Sequence, residues 1–488
     1  MTATTRHTSQ IQRMASATML LCALGGCVQG PDYQKPPVEV PSNYRFADQA
    51  YLMPAPTANQ PWWDGFGDPM LEHLVREALA NNRDLRIATA RVDEFAAILM
   101  GTRSQAYPQV GYGLSGNRQR ASEQIIPDIV DPMSTTWSSL LSASWEIDLW
   151  GRIRRETEAA HANLLASEEA RRGVMLTLIS SVILSYVTLL DLDEQLRVTQ
   201  ATAAGRLESV QIFEKRLAHG WISEFEMSLA RSEYEAALSQ IPNFNQAIAT
   251  QEHALGVLLG RNPGPIARNR DQQSLRAPPV PAGLPSELLI RRPDILAAEQ
   301  QLIASNALIG AARALFFPRI SLTGLLGLMS PELGNLFTGS ARTWSFTGDV
   351  AGPIYTGGGL TAAVDQAKAR REQSLANYES VIQNAFRDVE DSLADVRHSL
   401  ELRETLERRV ASLRRALELA NDRYENGYSD YLDVLDTERS LFAAELALSS
   451  ARGDYQRALV NLYRALGGDW TQIPPSAASA EQPAGSKK

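Results

Sequence analysis

Along the chain, apolar and polar positions fall into two periods that alternate in a fixed order, and that order occurs twice. Leu360 to Asn426 contains neither glycine nor proline and reads as one helix, and Tyr428 to Leu466 reads as a second with only Gly453 inside it. At about 1.5 Å per residue the first would extend roughly 100 Å if unbroken, a rod that no ordinary compact domain needs. Arg152 to His219 and Trp221 to Leu259 are the counterparts in the first half. Ahead of each long helix the period changes to two. Val110, Tyr112 and Leu114 alternate with Gln109, Gly111, Gly113 and Ser115. Trp137, Leu141, Ala143, Trp145, Ile147 and Leu149 then alternate with Ser138, Ser142, Ser144, Glu146 and Asp148. This alternation predicts strands. The second half repeats it less cleanly, with Ile320, Leu322, Leu326 and Leu328 on one strand and Trp344, Phe346, Val350 and Ile354 on its partner. Each strand has about the ten residues needed to cross an outer membrane, although a half-buried soluble hairpin would alternate in the same way.

The duplication is explicit in the residues. Asp84-Leu85 and Asp294-Ile295 open matching stretches, and Arg103 to Pro108 answers Arg313 to Pro318 at an offset of about 210 residues. Arg216 and Gly220 match Arg423 and Gly427, and Gly260 matches Gly467, at about 207. The small change of offset falls between Pro318 and Gly358, where a shorter loop in the second copy accounts for it. The expected organisation is an export signal over 1–26, an extended segment over 27–75, repeat one over 76–262, a proline-rich connector over 263–284, repeat two over 285–468, and a flexible tail over 469–488. Gly220 and Gly427 sit at the turns that join each antiparallel helix pair, where positive φ ends a helix cheaply.

Val174 to Leu190 is apolar enough to suggest a membrane helix, but its twin, Val381 to Arg397, carries Arg387, Asp388, Glu390, Asp391 and Asp395. Both belong in a helical layer in water. The strands impose a different requirement. Four strands per chain cannot close a barrel, and open edges would leave amides and carbonyls unpaired in lipid. Three copies supply about twelve strands, whereas two supply about eight and leave little room for a conduit. The apolar faces would then point to lipid and the Gly, Ser, Gln and acidic faces to a lumen.

The amino terminus carries Arg6 and Arg13, a short apolar run from Met14 to Leu24, and then Gly25-Gly26-Cys27. This is an export signal, and small residues before a cysteine resemble the bacterial lipobox. Cys27 is the expected lipid attachment site, with Val28 following it in place of an inner-membrane retention aspartate. An unacylated signal is the alternative. Cys22 and Cys27 are the only cysteines, so the mature chain has no internal disulfide and no thiolate metal site. The net charge of −9 and the absence of a Lys/Arg cluster exclude a nucleic-acid binder. His73, His161, His219, His253 and His398 lack metal-ligand spacing. Gly352 to Gly359 imitates a phosphate loop but has Gly358 where a lysine is needed, so no cofactor and no catalysis are expected.

Leu284-Pro285, Glu287-Leu288-Leu289, Arg292-Pro293-Asp294-Ile295, Ile309-Gly310 and Phe316 to Gly324 together resemble the signature of TolC-like outer-membrane efflux factors, lipoprotein branch, typified by OprM and NodT-like proteins. The resemblance spans about Cys27 to Trp470. It implies a mainly α chain with a membrane β-barrel portion, forming a homotrimer with a 12-stranded barrel continued by a long α-helical periplasmic tunnel. It also implies a periplasmic adaptor and an inner-membrane pump of the resistance-nodulation-division type as partners, and drugs or other small molecules as cargo. In such channels the tip is closed by coiling helices and lined by acids. Asp433 and Asp436 fall where ring aspartates sit, with Asp430 beside them, and Tyr424 where a gate-bonding tyrosine sits. Ser429 stands where TolC has an arginine, so the latch must differ. Arg216, Gly220, Glu224 and Glu226 with Arg423 and Gly427 are expected at the tip, for adaptor contact or for pairing across it. A solvated helix face is the plain alternative for the acids. A lipid-anchored periplasmic scaffold or adaptor, or a type I protein secretion duct, are the rival readings of the whole chain.

Overall fold

A computed structural model gives the architecture of the 488-residue chain. It describes residues 28–46, 52–53, 61–122, 124, 131–269, 271–277, 280–281 and 285–468. The export signal, Cys27 and the tail over 469–488 lie outside the described residues.

A helix α1 (Pro69–Asn81) runs across the start of the first copy. The first copy then runs α2 (Arg83–Ser104), β1 (Gln109–Arg120), β2 (Met133–Ile147), α3 (Arg152–Ala218) and α4 (Glu224–Leu258). The second runs α5 (Pro293–Ala314), β3 (Arg319–Ser330), β4 (Arg342–Ala351), α6 (Gly359–Glu425) and α7 (Tyr431–Ala465). The paired helices have equal lengths: 22 residues in α2 and α5, 67 in α3 and α6, and 35 in α4 and α7. Both 35-residue helices start three residues later than the sequence pattern suggests, at Glu224 and Tyr431, because the turn and its cap take up the residues after each glycine.

The chain forms two compact units. The first holds Ala90–Glu168, Ala297–Glu379 and the segment up to Pro37; the second holds Val38–Thr89, Glu169–Leu296 and the chain from Ser380 onward.

In the first unit the strands make one antiparallel sheet in the order β1-β2-β3-β4, so the two hairpins join through β2 and β3. Residues paired across a sheet share a face, and the register therefore tests the alternation. Val110, Ala143, Gly324 and Phe346 form one row, and Tyr112, Leu141, Leu326 and Trp344 form another. The opposite face carries the row Gln109, Ser144, Thr323 and Thr347. The apolar rows are bare: Tyr112 is 90%, Trp344 77% and Phe346 69% exposed. A large apolar face of this kind needs a non-aqueous neighbour, and β1 and β4 remain open edges.

The N-terminal segment is strapped onto the helices of the same unit. Gln29 N–H donates to the Trp150 carbonyl at 3.2 Å, Asn306 Nδ2 to the Pro31 carbonyl at 3.0 Å, and Arg155 Nη2 to Asp32 Oδ1 at 2.7 Å. Lys35 Nζ closes the strap on Glu299 at 2.7 Å. Gly310 makes room for it, since a Cβ there would stand 2.4 Å from the Gln29 carbonyl oxygen.

The second unit has the larger core. Trp62, Trp63 and Phe66 with Leu71, Leu74 and Val75 of α1 pack on Ile179, Val182, Ile183 and Tyr186 of α3, and Tyr463 of α7 stacks on Trp62 at 4.7 Å. The apolar stretch Val174 to Leu190 thus supplies the core of this unit and is no membrane span. Asp68 caps α1 by accepting from Met70 N–H at 2.8 Å, and its other oxygen accepts from the buried Tyr186 hydroxyl at 2.7 Å. Arg292 of the signature motif reaches Asp294, Asp388 of α6 and the Ala465 carbonyl that ends α7. The connector is pinned by Gln272, which donates to the Ser449 carbonyl at 2.9 Å while Ser449 Oγ donates to Asp191.

Tyr186→Phe removes the donor to a buried carboxylate without changing the packed ring. The expected loss is about 1–3 kcal/mol, read as a lowered denaturant midpoint of the detergent-solubilised protein; an unchanged midpoint would show that Asp68 is satisfied without the hydroxyl.

Candidate functional site

The helix-pair ends of both repeats meet within the second unit. Each long helix stops in the same way. Gly220 and Gly427 take φ of 72° and 74°, and no atom lies within 4 Å of the place a Cβ would occupy. Glycine is needed there for the backbone angle and not for space. The Trp221 and Tyr428 N–H groups reach back to the carbonyls of Arg216 and Arg423 at 2.9 and 2.8 Å, while the Gly220 and Gly427 N–H groups bond Leu217 and Tyr424 at 2.9 and 3.0 Å. These are Schellman turns. The match of Arg216 and Gly220 with Arg423 and Gly427 is therefore the trace of two helix stops.

The following helices begin differently. Ser223 and Glu226 form a reciprocal capping box, with Ser223 N–H donating to Glu226 Oε2 at 2.8 Å and Glu226 N–H donating to Ser223 Oγ at 3.2 Å. Glu226 is thereby committed to its own helix, while Glu224 stays exposed in the first turn. The second copy has Asp430 and Asp433 at the two positions, and Asp430 makes no side-chain cap bond. The Ser223 hydroxyl also donates to Glu226 Oε2 at 2.9 Å, a side-chain bond that two carboxylates cannot make with each other. Asp433 and, one turn on, Asp436 are exposed, and among the described residues neither side chain has a hydrogen-bond or ion-pair partner. They share a helix face, and Asp433 stands in the first turn of α7, where the helix dipole favours negative charge.

Behind them an aromatic cluster joins the repeats. Tyr431 of α7 packs edge-on to Phe213 of α3 at 4.6 Å and lies 5.6 Å from Tyr424 of α6. The Arg216 guanidinium lies 5.8 Å from the Tyr424 ring centre and 5.9 Å from that of Phe213. Burial pushes the Tyr424 phenol above its ordinary value, and Arg216 opposes the shift. Arg216 is thus the cation beside the tyrosine. Ser429, at the position of the family's arginine, has a buried hydroxyl with no partner among the described residues.

A charged layer follows that sequence reading missed. Arg206 of α3, 5% exposed, donates to the Glu233 main-chain carbonyl at 2.7 Å and pairs with the Glu233 carboxylate at 3.1 Å. Arg439 of α7 reaches the same carboxylate at 2.8 Å through Nε. The signal was available: aligned by the repeat, Arg206, Glu233 and Arg439 face Leu413, Ser440 and Ser232, a charge in one copy against a small or apolar residue in the other. Tyr431, facing Glu224, and Phe213, facing Ala420, show the same asymmetry.

Burial raises the carboxyl of neighbouring Glu438 above the ordinary glutamate value, Arg206 opposes this, and Glu233 adds to it. The folded tip therefore holds a proton there at a pH where the unfolded chain has released it, and stability falls as pH rises above 4.5 through this window. Glu438→Gln should raise the unfolding midpoint at neutral pH and flatten its decline over that window; an unaltered pH profile would discard the assignment.

Comparison with known proteins places this geometry. The family model described as outer membrane efflux protein matches residues 74–261 and 284–468, once per repeat. The cation efflux system protein CusC of Escherichia coli (strain K12) is 38% identical over 451 residues, covering 91% of this chain and 97% of the relative. The probable efflux pump outer membrane protein TtgC of Pseudomonas putida KT2440 is 36% identical over 479 residues, covering 95% and 97%. Among solved structures, the outer-membrane channel OprN superposes with a TM-score of 0.84 at 30% identity, covering 91% of this chain and 99% of that one. The Neisseria gonorrhoeae MtrE channel, in its open state, superposes with 0.81 at 32% identity, covering 91% and 98%.

Proposed function

From the premise that this chain belongs to the outer membrane efflux protein family and is the trimeric outer-membrane channel component of a tripartite efflux system, not an enzyme, we propose that Asp433 and Asp436 form its periplasmic selectivity ring. The observation that carries this reading is the pair of exposed carboxylates in the first turns of α7, neither of them hydrogen-bonded through its side chain, with the charge of Arg439 near Asp436. Threefold symmetry multiplies them to six at one mouth. A narrow passage lined by that many carboxylates favours cations, and their mutual repulsion holds the mouth under tension. Tyr424 and Asp430 border the ring. Arg216, stacked on Tyr424, serves as the latch that ties the second repeat's tip to the first, in the role that Ser429 cannot fill.

Channels of this family work with a periplasmic adaptor and an inner-membrane pump. We assign the adaptor contact to the turns at Gly220 and Gly427 with Glu224 beside them, and the pump to the resistance-nodulation-division type. Relatives named for cation and for toluene efflux support small solutes as cargo. Cys27 is proposed to carry the lipid anchor. Support comes from the strap that follows it, which ties Gln29 to Trp150, shortly after β2 ends at Ile147.

Two experiments test these assignments. In planar bilayers the wild-type channel should pass small, cation-preferring currents, and Asp433→Ala with Asp436→Ala should lose that preference and conduct more; an unchanged preference places the filter elsewhere. Cells fed labelled palmitate should label the wild-type protein and not Cys27→Ser, while labelling of the variant would refute the anchor.

A further inference from the structure

The register of the sheet assigns each strand residue a face, and on the apolar face the two ends of the sheet differ. The rows through Ile147, Ile320 and Val350, then Trp145, Leu322 and Gly348, lie at the end where the helices attach, and they carry no charge. The strand cation of that end, Arg319, pairs with Ala351 and so belongs to the polar face, where its guanidinium lies 3.7 Å from Glu146. The hairpin end is the reverse. Leu114, Ser139, Leu328 and Arg342 make one row of the apolar face, and further out Arg118 stands opposite Thr135 and Arg120 opposite Met133. All three arginines are exposed. The period of two puts them in line with Val110, Tyr112 and Leu114 on β1 and with Trp344 and Phe346 on β4.

Spacing along the strands sets these cations at the border of the hydrocarbon. From Val350 to Arg342 the strand advances about 27 Å, or roughly 20 Å of membrane depth at the usual barrel tilt, against an apolar band of about 25 Å. The indole of Trp137 marks the border. It lies across Gly116, where a Cβ would stand 2.5 Å from the ring, and the next row outward is that of Arg118. An arginine on a lipid-facing surface costs little at this depth but gains nothing from hydrocarbon, so it calls for an anion in the headgroup layer. Neighbouring carboxylates do not supply one. Among the described residues of the two hairpin ends they are Asp131, which accepts from the Met133 N–H at 2.8 Å, and Glu332, which accepts from Asn335 Nδ2 at 2.8 Å. The side chains of Arg118 and Arg342 have no hydrogen-bond or ion-pair partner among the described residues.

We propose that Arg118 of one protomer and Arg342 of the next bind the phosphate groups of a phosphorylated glycolipid in the outer leaflet, with Arg120 at the rim of the site. The helices attach at the other end of the sheet and run into the periplasm, so the hairpin ends face outward. An outer membrane has phosphorylated glycolipid in its outer leaflet and phospholipid in its inner one, and cations confined to the outward end of the lipid face select the former. The planar fork of arginine matches a pair of phosphate oxygens. Arg342 opens β4 and Arg120 closes β1, so both edge strands end at that rim in arginine. Pairing of β4 with β1 of the next copy, which closes the barrel, gathers these residues from two chains and makes one site at each seam. The proposal rests on that closed trimer. A lipid held across the seam ties neighbouring protomers together in the layer where strand pairing ends.

Native mass spectrometry of the full-length, detergent-purified trimer tests this with lipids of stated composition. Bisphosphorylated lipid A should bind the wild type in up to one copy per seam, and Arg118→Gln with Arg342→Gln should weaken that binding about tenfold or more, the loss expected when charge-assisted bonds are removed. Arg319→Gln, on the polar face of the same sheet, should bind as the wild type does. Dephosphorylated lipid A should bind the wild type and the double variant equally weakly, and phosphatidylglycerol should not distinguish them. Lipid A binding that is unchanged in the double variant would overturn the site. Phosphatidylglycerol binding that equals that of lipid A and falls with it would overturn the glycolipid as its occupant. If the double variant does not assemble, Arg118→Gln alone is compared with Arg319→Gln, and equal binding by the two rejects the proposal. A wild type with no trimer mass would instead remove the closed barrel on which the site depends.

Discussion

Backbone hydrogen bonds that cannot be left unmade in hydrocarbon are the constraint on which this architecture rests. The antiparallel sheet of each chain brings four strands and two bare edges, and in lipid every unpaired amide or carbonyl costs several kcal/mol. The apolar rows through Tyr112, Leu141, Leu326 and Trp344 commit one face of the sheet to lipid, so the edges cannot be satisfied by water. Closure has to come from other copies. The chain is therefore one third of a structure, and its surface makes sense only as such.

Duplication solves the assembly problem economically. Two copies of one plan give helices of equal length. Where the copies differ, the difference has a physical use. Gly310 admits the N-terminal strap on α5, where the first copy has Met100. Ser223 and Glu226 close the start of α4 by mutual bonding, whereas at the start of α7 Asp430 makes no side-chain cap bond. The symmetric residues build the scaffold, and the asymmetric ones set the strap and the helix-pair ends apart.

At the tip, packing and charge are arranged in layers. The Phe213, Tyr424 and Tyr431 cluster ties three helices together, and behind it the buried Arg206–Glu233 pair of the first repeat is reached from the second by the exposed Arg439. Removing one partner from such a network leaves an uncompensated charge, so its members stand or fall together.

The sequence by itself determined the elements, their order and their duplication, because helical and strand periods are local and a repeat needs only two copies to be seen. It also determined the face of each strand, since the period of two fixes which residues share a side, and it located the acids at Asp433 and Asp436 near the turn marked by Gly427. Only the tertiary structure decided that Glu226 bonds back to Ser223, that the signature residue Arg292 ties α6 to the end of α7, and that Arg216 lies over Tyr424. The tertiary structure also brought Arg206, Glu233 and Arg439 together from three helices and sank Val174 to Leu190 into a core. These depend on which helix lies beside which, a relation between residues up to several hundred positions apart. Periodicity carries no information about that distance, and packing supplies it.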